Sequence, residues 1–219
     1  MMTGHFTLPL AFDLAATFFF AVTGGLTAMR KGYDFVGVFF LALVVGLGGG
    51  LLRDGLFLQQ MPTVMEPHYL ATVLAAMAVS LLLGERLNRL AMVFLVVDAL
   101  GLGLYAMVGT QKALLAGLSW VPALLIGVIN AVGGGVIRDL ITREEPLVFR
   151  PGEFYAAAAF AGAALFAALV VGLGVTAQWA ALGGIGLVLL IRLASVRFGW
   201  KTRAARALIR SSDAADSGV

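Results

Sequence analysis

Gly48-Gly49-Gly50-Leu51-Leu52-Arg53-Asp54 stands at the end of one long apolar run, and Gly133-Gly134-Gly135-Val136-Ile137-Arg138-Asp139 closes another. The two blocks lie 85 residues apart, and at that offset the chain matches itself without a gap at 11 of the 42 positions from Asp13 to Asp54. Asp13 falls on Asp98, Ala21 on Ala106, Gly24 on Gly109, Ala28 on Ala113, Gly32 on Gly117 and Val36 on Val121. After one residue of slippage, Pro62-x-Val64-x-x-Pro67 matches Pro146-x-Val148-x-x-Pro151. Alanine and glycine coincide cheaply in an apolar chain, but composition does not repeat Arg-Asp after three glycines. The sequence reads as an internal duplication.

The surroundings of the blocks fix the solvent. Of 219 residues, 61% are hydrophobic and 12% charged, with a mean hydropathy of +0.99. Soluble domains run at about 45–50% apolar and about 25% charged. An ordinary globular enzyme, a disordered chain, a coiled coil and a nucleic-acid-binding module are excluded. The pI of 9.6 reflects a formal net charge of only +3, too small for a phosphate footprint. Without cysteine there is no disulfide, iron–sulfur cluster or cysteine–zinc site, and His5 and His68 are too far apart to suggest metal ligation. An all-α polytopic membrane protein remains.

A crossing helix needs about 20 mainly apolar residues. Seven runs qualify: roughly 8–29, 34–52, 68–84, 90–110, 114–137, 153–174 and 177–196. No Lys or Arg precedes the first run, so it is read as a retained helix rather than a signal peptide. The repeat unit is three spans long. Because three is odd, the second copy enters the bilayer from the opposite side, and a pseudo-two-fold axis in the membrane plane relates the halves. The expected organisation is a first three-helix repeat over 1–85, a second, inverted one over 86–175, a seventh transmembrane helix over 176–200 and a basic tail over 201–219. Thirteen of the 15 basic residues fall on the side reached by the C-terminus, leaving only Arg53 and Lys112 opposite. The positive-inside rule then puts the N-terminus outside and the C-terminus, with Lys201, Arg203, Arg206 and Arg210, in the cytoplasm.

Each glycine weakens a helix by about 1 kcal/mol relative to alanine. The triplets therefore mark spans two and five as places to bend or unwind, where freed carbonyls could ligate a cation; the competing reading is tight helix crossing. Charges inside a span cost at least about 2.5–3.5 kcal/mol each and are paired or pore-facing. Neighbouring helical residues point about 100° apart, so Arg53 and Asp54 are expected to face different targets. Reciprocal pairing follows, Arg53 near Asp139 and Arg138 near Asp54, against the alternative of arginines snorkelling at helix ends. Asp13 and Asp98, at equivalent depths from opposite faces, either draw cations into two vestibules or make packing hydrogen bonds. Lys112 is placed in the link between spans four and five, as a group that moves in the field or repels cations, or as a solvated loop charge. Glu66 and His68 read as ordinary loop residues before any role in sensing pH or divalent ions.

Two three-helix repeats, each with G-G-G-x-x-R-D in its second helix, then P-x-V-x-x-P and a seventh helix, resemble the prokaryotic trimeric intracellular cation (TRIC) channels over roughly residues 8–196. The same sequence family has also been labelled as glycine or small-molecule transporters. The resemblance implies a homotrimer in the plasma (inner) membrane, with a K⁺- and Na⁺-conducting pore in each protomer, lined by kinked second and fifth helices. Gly48, Gly49, Gly50, Gly133, Gly134 and Gly135 would then be kink and ion-contact residues, with Arg53, Asp54, Arg138 and Asp139 beside them. The leading expectation is a monovalent cation channel needing no cofactor, with lipid as its surroundings and no nucleic-acid partner. The alternative is a secondary transporter of a small zwitterion, in which an arginine takes the carboxylate and an aspartate the ammonium. No His, Cys or Ser constellation and no H-E-x-x-H supports an intramembrane enzyme.

Overall fold

The computed structural model describes residues 7–88, 91–151 and 153–200; Arg89, His5 and the basic tail 201–219 lie outside these. Among the described residues seven α-helices follow one another: α1 (Leu10–Arg30), α2 (Phe35–Leu51), α3 (Pro67–Asn88), α4 (Ala91–Leu115), α5 (Trp120–Ile141), α6 (Tyr155–Ala167) and α7 (Ala177–Arg197). Six helical stretches are long and apolar enough to cross a membrane, and α3 adds a shorter apolar stretch, Pro67–Leu82. Two of the starts have a plain local cause. Asp34 caps α2 by accepting from the Gly37 amide at 2.8 Å. Pro67 opens α3, where its missing N–H costs nothing. Gly32 and Gly117, both at positive φ, end the turns after α1 and α4.

The contacts follow the repeat. α1 packs on α2 and α3, and α4 on α5 and α6; α1 lies against α4 and α2 crosses α5, while α7 rests on α4 and α6. The first and second helices of each half, α1 with α4 and α2 with α5, thus meet their counterparts.

The triplets sit where α2 and α5 cross. The backbone stays helical through both, with the Leu52 N–H bonded to the Gly48 and Gly49 carbonyls, so the expected unwinding does not occur. What the missing side chains allow is approach. A Cβ on Gly49 would run into the Asn130 carbonyl, one on Gly134 into that of Val45, and one on Gly133 would sit 3.4 Å from the Gly49 Cα. Two backbones in van der Waals contact compensate for the helix propensity that the glycines forfeit. Irregularity begins just beyond the first triplet, where Leu52–Phe57 forms a π-helical turn, with the Leu58 amide bonded to the Arg53 carbonyl at 2.9 Å. A second π turn, Ala168–Gly172, ends α6.

Candidate functional site

Arg53 and Arg138 are both buried, and neither reaches across the pseudo-two-fold axis. Arg53 donates from Nε to Asp54 Oδ1 at 2.6 Å and from Nη2 to Asp54 Oδ2 at 2.9 Å. Its outer nitrogens face Asp13 at 3.4 and 3.3 Å. Arg138 donates from Nε to Asp139 Oδ1 at 2.8 Å and from Nη1 to Asp98 Oδ1 at 2.7 Å. The expected reciprocal pairs are therefore corrected: each arginine binds its own neighbour and an aspartate 40 residues earlier in its own repeat. The backbone angle between adjacent residues does not decide the matter, because the guanidinium fork folds back over three methylenes and offers Nε to one carboxylate and Nη to another. The alternative of interfacial snorkelling fails too, since Arg53 is 0% and Arg138 2% exposed.

The first cluster is completed by groups from α4, from the loop after α2 and from the first turn of α3. Lys112 is in the last turn of α4, not in the link, and is 21% exposed at its side chain. Its Nζ donates to Thr63 Oγ1 at 2.7 Å and lies 3.2 Å from Asp13 Oδ2 and 3.5 Å from Asp54 Oδ2. Thr63 gives both its N–H and its hydroxyl to Asp54 Oδ2, each at 3.0 Å, and Tyr69 donates to Asp13 Oδ2 at 3.0 Å. Two carboxylates and two cations balance.

The second cluster opens into a cavity of about 360 Å³ on the basic face. Asp98, Arg138 and Asp139 line it together with Thr27, Arg30, Phe94, Glu144, Arg150, Glu153 and Arg192. Asp139 Oδ2 accepts the Leu147 amide at 3.1 Å, as Asp54 accepts that of Thr63. Each P-x-V-x-x-P loop thus delivers one backbone N–H to the aspartate of its repeat. Arg30 and Arg138 both stand over the Phe94 ring, 4.6 and 5.2 Å from its centre. At the rim Lys31 bridges to Glu144 at 2.8 Å and holds that carboxyl below the usual range.

Between the clusters runs a short line of buried polar groups that the sequence reasoning does not single out. Thr17 and Tyr105 share a hydrogen bond of 2.8 Å, Tyr105 donates to the Gly46 carbonyl, and Asn130 Nδ2 donates to the Tyr105 carbonyl at 2.6 Å. Asn130 Oδ1 has no hydrogen-bond partner among the described residues. Its signal is available in the sequence: it is the only Asn, Gln or charged residue in α5 before Arg138. Arg192 is likewise missed, because a cation near the end of a span reads as an interfacial anchor. It is 1% exposed, bonds the carbonyl and carboxylate of Glu153, and stands over the Tyr155 ring at 5.0 Å. Glu66, just before α3, and His68, in its first turn, pair at 3.1 Å, apart from both clusters.

Comparison with known proteins agrees with this architecture. A family model described as a glycine transporter matches residues 10–85 and 95–171, two segments whose starts are 85 residues apart. A UPF0126 membrane protein of Vibrio cholerae is 39% identical over 189 residues, 85% of this chain and 78% of the Vibrio one. The UPF0126 inner membrane protein YadS of Escherichia coli K12 is 35% identical over 192 residues, 86% of this chain and 92% of YadS. Among solved structures, the TRIC trimeric intracellular cation channel orthologue from Rhodobacter sphaeroides superposes with a TM-score of 0.81 at 34% identity, over 87% of this chain and 97% of that one. A structure described under conductance through TRIC cation channels gives 0.78 at 28% identity, over 90% and 97%. With two matched repeats, curated relatives above 30% identity and a shared seven-helix fold, the chain belongs to the prokaryotic TRIC channel family, within the UPF0126 membrane proteins.

Proposed function

We propose that this protein is a monovalent cation channel, passing K⁺ and Na⁺ through each protomer of a homotrimer in the plasma membrane. The observation that carries the reading is the polar line through one protomer. Asp13, Asp54, Arg53 and Lys112 stand at one end, Thr17, Tyr105 and Asn130 in the middle, and Asp98, Asp139 and Arg138 at the other. Polar groups at that depth are costly and mark ion pathways when they are not mere packing. The narrowest point is where Gly48–Gly50 and Gly133–Gly135 bring α2 against α5. The halves 1–85 and 86–175 are the two sides of that pathway, 176–200 is an added strut and 201–219 a cytoplasmic tail. The N-terminus is outside, so Lys112 closes the outer end by occupying its carboxylates, and a field that draws its ammonium away frees them.

A transporter of glycine, the reading suggested by the family model's description, needs a guanidinium free to take a substrate carboxylate. Both buried candidates are already engaged by two aspartates each. Purified protein in a planar bilayer separates the two. Unitary K⁺ currents are expected, and saturable, counterflow-competent glycine uptake without single-channel steps would overturn the channel.

A further inference from the structure

The two clusters are related by the repeat but are not equally furnished. In the first, Asp13 Oδ2 lies within reach of three donors: the Tyr69 hydroxyl at 3.0 Å, Arg53 Nη2 at 3.3 Å and the Lys112 ammonium at 3.2 Å. In the second, Asp98 uses Oδ1 for Arg138 and leaves Oδ2 with no hydrogen-bond partner among the described residues, although the residue is 1% exposed. The offset of 85 that puts Asp98 on Asp13 puts Thr27 on Lys112. Where the first cluster has two carboxylates and two cations, the second has Asp98, Asp139 and Arg138, one positive charge fewer. The remaining charges around the cavity have other engagements: Glu144 with Lys31 and Arg150, Glu153 with Arg192, and Arg30 against Phe94.

We propose that Asp98 and Thr27 form a binding site for a monovalent alkali cation in the vestibule of the basic face, a free ion standing where the first cluster has the Lys112 ammonium. Asp98 Oδ2 supplies the charge, and Thr27, which lines the same cavity, supplies a neutral oxygen. The Thr27 hydroxyl spends its proton on the Thr23 carbonyl at 2.7 Å, so its lone pairs are left to face a cation. A hard alkali ion takes oxygen ligands, and water from the cavity completes its shell. A divalent ion is disfavoured, because Ca²⁺ collects six to eight oxygens with several carboxylates among them, whereas here one carboxylate oxygen is unspent. The two ends of the pathway then differ in kind. One carries a tethered cation that must move, and the other a site that loads from solution.

The inference rests on the channel reading for its purpose but not for its test, which reads binding. Purified protein is unfolded by heat at constant ionic strength in KCl, NaCl or choline chloride. A binder of the folded state raises Tm in a saturable way, so K⁺ or Na⁺ is expected to raise Tm by a few degrees over choline. Asp98→Asn is expected to lose that increment. Thr27→Lys is expected to show a higher Tm in choline and no further rise with K⁺, the tethered ammonium having replaced the ion. Crystals grown in RbCl provide a second readout that does not depend on variant folding, with an anomalous peak expected in bonding contact with Asp98 Oδ2. An unchanged alkali increment in Asp98→Asn, or an anomalous map empty at Asp98, overturns the site. Currents without the increment would sink the site and leave the channel standing; the increment without currents would do the reverse.

Discussion

At the residue scale the decisive fact is that each arginine satisfies two carboxylates of its own repeat. A buried ion pair gains little over an apolar replacement, but removing one partner costs about 3–5 kcal/mol because the other charge stays buried. Arg53→Met is therefore expected to destabilise the protein by about that amount, leaving Asp13 and Asp54 with Lys112 as their remaining cation. A double-mutant cycle, followed by unfolding in detergent, gives the pairing directly. Arg53 with Asp13 should couple by more than about 1 kcal/mol, while Arg53 with Asp139 should be additive within about 0.5 kcal/mol. The reverse result would restore the cross-axis pairing. Lys31 and Glu144 predict a pH response at the rim. The Glu144 carboxyl is held down by the Lys31 ammonium, so its contribution is present above the unfolded value of about 4.3 and fades as pH falls through the lower folded value. The Tm gap between the protein and Glu144→Gln should stay level from pH 7 to about 5 and close below about 4. A gap that widens on acidification would contradict the tie.

At the element scale α2 and α5 are made by what their glycines lack. The apolar runs and proline punctuation find all seven helices, because bilayer thickness sets span length whatever the packing, but the link expected at 111–113 lies at 116–119, after Leu115 and before Trp120. The same sequence does not tell a bend from a crossing, since both use glycine for its missing Cβ and only the partner's position separates them. Here the partner is the Asn130 and Val45 backbone. Backbone cannot step aside as a flexible side chain can, so Gly49→Ala and Gly134→Ala are each expected to cost about 1–3 kcal/mol in overpacking. Gly186, in α7 with open space where its Cβ would be, provides the contrast: Gly186→Ala should be neutral or stabilise by up to about 1 kcal/mol. Equal effects at the three positions, measured as unfolding free energies in one detergent, would remove the crossing as the reason for the triplets.

At the scale of the whole molecule the duplication can be read from the chain, whereas its asymmetry needs the structure. The Gly-Gly-Gly-x-x-Arg-Asp blocks and the paired aspartates survive in both copies because each cluster needs an arginine between two carboxylates. The partners that differ between the copies (Lys112 against Thr27, and Thr63 against Leu147) carry no motif. Lys112 in particular stands three residues before the end of its helix, where a sequence reading meets a loop charge and misses the two carboxylates below it. An odd repeat also has a consequence for orientation: equivalent clusters face opposite compartments, so the furnished end and the open end experience different solutions. The proposed orientation, with the basic residues in the cytoplasm, puts the Lys112 end outside. The absence of cysteine makes this testable without a background, because any thiol introduced is the only one. Thr7 and Phe198 are exposed at the two ends of the helical array. In intact cells a membrane-impermeant maleimide should label Thr7→Cys and spare Phe198→Cys until the membrane is permeabilised. Labelling of Phe198→Cys alone would invert the molecule, placing the Asp98 cavity outside and the Lys112 ammonium toward the cytoplasm.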